Sequence, residues 1–141
     1  MSTELDVAPD AAESTVPGWT IWPYRVAVTL GALMLFNQAV FAGQFLDGRY
    51  GALLTHRENA TYAGIMIVVS GLMAIFIRWP GKGPWWPIAA TFGLFALIGV
   101  QILLGFMRVI AIHIPLGVSI IVAASYLAVW AWRYRPASVG A

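Results

Sequence analysis

Residues 86–106 read WPIAATFGLFALIGVQILLGF and residues 109–132 read VIAIHIPLGVSIIVAASYLAVWAW, two runs separated only by Met107-Arg108. Neither run contains an Asp, Glu, Lys or Arg. A helix of about 20 residues rises roughly 30 Å, the thickness of the hydrocarbon core of a bilayer. The runs are continuously apolar without period-two alternation, and a helix satisfies its own backbone polar groups in lipid, so helices are expected rather than barrel strands. Toward the N-terminus, Arg25–Leu46 and Asn59–Ile77 are stretches of the same kind. The separators are a polar loop at Asp47–Glu58, a turn of helix breakers at Arg78–Pro84, and Met107-Arg108. Connections this short predict an all-α integral membrane protein, an antiparallel bundle of four transmembrane helices.

Composition agrees. The chain has 141 residues, 60% of them hydrophobic and only 10% charged, against about a quarter charged in an ordinary soluble domain. The net charge is +2, yet Glu4, Asp6, Asp10 and Glu13 all lie near the N-terminus, leaving eight bases against Asp47 and Glu58 in the remainder. That excess is spread along helix ends, which suits membrane orientation and argues against nucleic acid as a partner. With alternating spans, Arg25, Arg78, Lys82, Arg133 and Arg135 fall on one side and Arg49, Arg57 and Arg108 on the other. The positive-inside rule then predicts a multi-pass protein of the bacterial cytoplasmic membrane with both termini in the cytoplasm. All seven tryptophans fall on that same side, as an interfacial belt or a docking surface.

Residues 1–20 are expected to form a flexible acidic tail, residues 21–135 the four-helix domain, and residues 136–141 a C-terminal tail. The first eighteen residues, MSTELDVAPDAAESTVPG, lack the positive n-region of a cleaved signal and are read as retained. No repeat of fixed period is present. The absence of cysteine excludes disulfides, cysteine-ligated iron-sulfur clusters, thiolate zinc sites and covalently attached c-type haem.

Two histidines carry the functional reading. His56 precedes the second span and His113 lies about one turn into the fourth, so both stand at the outer ends of inward-running helices. Their depths differ by roughly one helical turn, within reach of ordinary tilt. Small residues line the faces below them: Ala60, Ala63, Gly64, Ser70, Gly71 and Ala74 under His56, and Gly117, Ala124 and Ala128 under His113. A flat macrocycle needs such room, and two neutral imidazoles can fill both axial positions of its iron. Arg57, Arg108 and Arg49 are placed to meet propionates at the outer surface. Haem b is therefore the expected cofactor, with His56 and His113 as axial ligands. The plain alternative is that small faces serve close helix packing and the histidines are solvated. Asn37, Gln38, Gln44 and Gln101 are the other amides within the spans, suited to interhelical hydrogen bonds or to a quinone or isoprenoid headgroup.

The stretches FAGQFLDGRYGALLTHRENATYAGIMIV and GVQILLGFMRVIAIHIPLGVSII resemble one four-helix half of haem A synthase, the CtaA-type membrane enzymes. The motifs that carry the resemblance are His56-Arg57, Gln101-Ile-Leu-Leu-Gly105 and His113, in that order, over about Phe41 to Val122. The chain is also similar to small uncharacterised bacterial four-helix proteins. The resemblance implies a bis-histidine haem at the outer side of the bundle. The synthases have two fused halves, often with a cysteine pair and a catalytic carboxylate in outer loops, whereas this chain has one half and no cysteine. A homodimer would rebuild the eight-helix arrangement.

The expected function is a small haem b-binding membrane protein that transfers electrons or serves as an accessory subunit of an energy-converting complex. Two other readings stand beside it: a structural transmembrane subunit without cofactor, and a haem- or quinone-modifying enzyme acting as a dimer. For the enzyme reading Asp47 and Glu58 are the available carboxylates, and no catalytic residue is assigned. Transport is disfavoured, because no charged relay crosses the middle of the spans.

Overall fold

The computed structural model describes residues 17–136 and contains four α-helices preceded by a short 3-10 turn, Gly18–Ile21. The helices are α1 (Trp22–Leu46), α2 (Ala52–Arg78), α3 (Trp86–Phe106) and α4 (Ile110–Arg133). All four are long and apolar enough to cross a membrane. Most of the expected N-terminal tail and the C-terminal residues 137–141 lie outside the described residues. The 3-10 turn buries Thr20 and Ile21, so ordered packing begins before the expected boundary.

Helix α2 differs most from the sequence reading, starting at Ala52 rather than Asn59. Hydropathy marks only the apolar part of a helix, while the polar turn before it, Thr55-His-Arg-Glu58, continues the same hydrogen-bonded spiral because nothing in it breaks one. His56 therefore sits inside α2 instead of in a loop. Both α1 and α3 begin at a Trp-Pro pair, where proline's missing amide costs nothing and its fixed φ favours the first turn.

The helices pack in a ring: α1 on α2, α2 on α3, α3 on α4 and α4 on α1. Large apolar side chains such as Leu33, Phe36, Leu72, Phe95, Val118 and Val122 point outward, while the interior combines large apolar side chains such as Tyr24, Ile67, Ile77 and Leu94 with the small or weakly polar Ala63, Ser70, Ala74, Thr91 and Ala124. An apolar exterior is compatible with lipid, and small interior residues let helices approach closely there.

One end of the ring is sealed by aromatics. Trp22 meets Trp132 edge-on at 5.6 Å, Trp86 meets Trp130 at 4.6 Å, Trp130 stacks on Tyr134, and Trp19 packs on Phe76. Arg25 lies beside the Trp22 and Trp132 rings and donates to the carbonyls of Ala131 and Tyr134, both at 2.9 Å. Those carbonyls belong to the end of α4, so a charged donor satisfies groups that would otherwise face lipid unpaired. Tyr24 and Thr91 share a buried hydrogen bond between α1 and α3 just below this seal.

Candidate functional site

At the opposite end the core thins. Apart from Ala52 at the start of α2, buried side chains stop at Leu35, Ala63, Ile98 and Ile120, and Gln38, Phe41, Leu104, Leu116 and the two histidines beyond them are only half-buried. The histidines thus stand roughly one to two helical turns past the packed core. Two diagonal helices supply them, α2 and α4, and their ring centroids are 6.3 Å apart with planes tilted by 57°. The expected one-turn difference in depth does not separate them.

Each ring is oriented by the backbone of a neighbouring helix. His56 Nδ1 bonds the carbonyl of Gln38 on α1 at 3.1 Å, and His113 Nδ1 bonds the carbonyl of Gln101 on α3 at 2.9 Å. A carbonyl can only accept, so each Nδ1 carries the proton and each neutral ring keeps its bare lone pair on Nε2. Neither Nε2 has a hydrogen-bond partner among the described residues. Metal-ligating histidines share this feature, almost always giving their other N–H to a carbonyl or carboxylate. Two imidazoles bound through Nε2 to one ion, at roughly 2.0–2.1 Å each, have ring centroids about 6 Å apart when they face each other across it and about 5 Å apart at a tetrahedral angle.

His113 is the more tightly built. The Gln101 side-chain Nε2 donates to the His113 carbonyl at 2.8 Å, so the two residues exchange hydrogen bonds. Two glycines permit this. A Cβ on Gly105 would stand 3.0 Å from His113 Cε1, and a Cβ on Gly117 would stand 2.7 Å from the Gln101 amide nitrogen. The glycines deeper along α2 do not hold a slot open: Gly71 is filled by the Phe92 ring at 3.0 Å, and Gly64 packs on Phe95 and Ile98. Most of the small face read below His56 therefore serves helix packing and does not hold a slot open beside the rings. The Gln38 amide nitrogen and oxygen and the Gln101 amide oxygen are buried without partners.

The arginines gather at the same end. Arg57 is exposed, with its guanidinium over Phe106 at 4.7 Å. Arg108 is exposed in the turn after α3 and has φ of 57°, a left-handed conformation that favours glycine. Gly48 takes the equivalent place after α1, with φ of 86°. Both turns close in the same way, Arg49 N to Gln44 O and Val109 N to Leu104 O. Arginine in place of glycine there costs on the order of 1 kcal/mol. Arg108→Gly is accordingly expected to raise the melting temperature of the purified protein, and a fall in that temperature would show that the left-handed turn is not strained by its side chain. Arg49, Asp47 and Glu58 are also exposed at this end.

The sequence reading named both histidines and the three arginines but not the partners that set the rings. A spacing of twelve residues joins Gln101 to His113, and the same spacing joins Gln44 to His56. Spacing alone would have chosen Gln44, whereas the fold uses the carbonyl of Gln38. The described residues contain no group of three or more His, Cys, Asp or Glu able to hold a bare metal ion. The geometry defines a paired-imidazole site in a membrane-compatible four-helix bundle. No protein-family model, curated protein or solved structure matches the chain.

Proposed function

We propose that this protein is a small haem b-binding membrane protein, acting in electron transfer or as an accessory subunit of an energy-converting membrane complex. The observation that carries the reading is the pair of imidazoles on diagonal helices, 6.3 Å apart, each with Nδ1 spent on a backbone carbonyl. A porphyrin supplies the four in-plane ligands that a two-histidine site lacks, and with them reversible one-electron chemistry. His56 and His113 would hold the iron from opposite faces. Arg57 and Arg108, with Arg49, would meet the propionates. The half-buried setting limits solvent around the rings, and the Nδ1 contacts leave Nε2 as the nitrogen that would meet the iron.

In the bilayer the four helices run antiparallel, with the tryptophan end and both termini on the cytoplasmic side and the histidines near the outer surface. Support comes from the charge bias and from contacts between helix starts and helix ends, Arg25 with Ala131 and Trp86 with Trp130. A second reading, a structural subunit, draws on the lipid-facing apolar groove between α3 and α4 lined by Ala90, Gly93, Val118 and Val122, which lies away from the histidines.

The test is the reduced-minus-oxidised absorption spectrum of detergent-purified protein from a haem-replete host. A low-spin b-type spectrum is expected, and His56→Ala and His113→Ala should each abolish that low-spin form. A featureless wild-type spectrum would sink the haem reading and leave the structural one.

A further inference from the structure

Between α3 and α4, in the half of the bundle toward the tryptophan end, lies an open groove of about 920 Å³ with an almost wholly apolar lining. On α3 it runs from Trp86 to Leu97, a rise of about 16 Å, which is the depth of one leaflet of a hydrocarbon core about 30 Å thick. Small residues hold it open, Ala90 and Gly93 on one wall and Ser119 and Ala123 on the other. Nothing lies within 4 Å of the place where a Gly93 Cβ would stand, whereas the equivalent space at Gly71 on α2 is filled by the Phe92 ring at 3.0 Å.

The outer end of this groove is basic. Arg25, Arg78, Lys82, Arg133 and Arg135 gather at the tryptophan end, and the described carboxylates, Asp47 and Glu58, lie at the other. Arg25 and Arg78 already donate to main-chain carbonyls, whereas Lys82 and Arg133 are exposed and make no hydrogen bond among the described residues. Ser119, Tyr126 and Arg133 follow one another at intervals of seven, so they share the groove face of α4. A helical side chain leans toward its own N-terminus, which carries Arg133, the last residue of α4, back over the groove. On the other wall Lys82 stands four residues before Trp86, and the Tyr134 hydroxyl, 2.5 Å from the place of a Gly83 Cβ, holds the end of α4 against that loop. Two cations thus flank the mouth of an apolar slot one leaflet deep. We infer that this groove binds one anionic phospholipid, with an acyl chain lying along Gly93 and Ala123 and the phosphate between Arg133 and Lys82. A zwitterionic lipid fits the same slot but gains less from the bases. A helix is too wide to enter it, being roughly 10–12 Å across with its side chains where neighbouring axes stand only about 8–10 Å apart. The site lies away from the histidines and is independent of the haem reading.

The test is lipid retention by the delipidated full-length protein in detergent, offered phosphatidylglycerol or phosphatidylcholine of the same chain length and read by mass spectrometry of the intact complex. Wild type is expected to hold one phosphatidylglycerol, with a preference of about tenfold over phosphatidylcholine. Arg133→Gln combined with Lys82→Gln should reduce that preference to about twofold or less while both lipids still bind. Gly93→Leu fills the slot and should lose both lipids. Gly99→Leu is its control, since Gly99 also has nothing within 4 Å of its added Cβ but lies outside the groove, and it should keep them. The wild-type preference is measured without any variant, and circular dichroism shows that each variant compared with it is folded. Equal retention of the two lipids by wild type, an unchanged preference in the double variant, or unchanged retention in Gly93→Leu would each overturn the inference. Gly93→Cys, in a chain that has no cysteine, tests the competing occupants in the cell membrane. No crosslink is expected from it, and a crosslink to a second copy or to another polypeptide would give the groove to a protein partner instead.

Discussion

Gly105→Leu is expected to empty the proposed haem site while leaving the bundle folded. The His113 ring lies directly over Gly105, and a Cβ there would come to 3.0 Å from Cε1 and 3.3 Å from Nδ1. The ring cannot retreat freely, because its Nδ1 is tied to the Gln101 carbonyl at 2.9 Å. The remaining leucine atoms widen the displacement. Metal sites tolerate errors of only about 0.2 Å in ligand distance. Haem content per protein should therefore fall more than tenfold, with Gly105→Ala intermediate. The helix itself does not lose, since Gly105 is the penultimate residue of α3 and leucine is at least as good a helix former as glycine there. Circular dichroism and the melting temperature of the haem-free protein should accordingly hold or rise. Full haem occupancy in Gly105→Leu would show that the His113 ring does not bind iron from this position.

The second large effect is on stability and lies at the other end. Gly81→Val is expected to destabilise the protein by about 2–4 kcal/mol, because the added Cβ would meet main chain and not a flexible side chain. The atoms in its way are Ile77 O at 2.5 Å, Phe76 O at 2.7 Å and Ile77 C at 3.0 Å. Those carbonyls close the last turn of α2, where Trp79 N bonds Ile75 O, Gly81 N bonds Phe76 O and Gly83 N bonds Ile77 O. Moving the loop breaks this cap and shifts Gly83, whose own Cβ position is occupied by the Tyr134 hydroxyl at 2.5 Å. Burial raises the Tyr134 phenol above its ordinary range, so it stays a neutral hydroxyl against the loop. In detergent the midpoint of unfolding should fall by roughly 10 °C. Gly93→Val on the outer face of α3 is the control, with nothing within 4 Å of its added Cβ, and should change the midpoint little. Equal effects at the two positions would mean that helix propensity, and not the loop cap, sets the loss.

The repeated plan of the two hairpins shows why part of the site escaped the sequence. Trp22-Pro23 and Trp86-Pro87 open α1 and α3, Gly48 and Arg108 close them in left-handed turns, and a glutamine carbonyl on each receives the histidine of the next helix. The distances between equivalent residues are not constant, being 64 for the tryptophans, 63 for the glutamines, 60 for the turn residues and 57 for the histidines. A search for a fixed period misses such a repeat. It becomes visible only when helices of different length are laid side by side.

What the sequence determined by itself was the class of the chain and the ends of its parts. Four apolar runs near 20 residues, uncharged but for Arg25 at the start of the first, are read as helices able to cross lipid, because each must satisfy its own backbone there, and Trp-Pro pairs and glycine-rich breakers mark where they start and stop. It also named His56 and His113, since imidazoles at the ends of apolar helices are rare enough to notice. Tertiary structure alone decided that these rings meet, that Gln38 and Gln101 orient them, and that Gly105 rather than the glycines of α2 makes room. Those are facts about which faces of neighbouring helices touch. Hydropathy, nearly uniform around each helix, carries no information on rotation, and in this bundle the rotation is fixed by small residues filled by partners such as Phe92, and by hydrogen bonds to main-chain carbonyls that leave no mark on side-chain spacing.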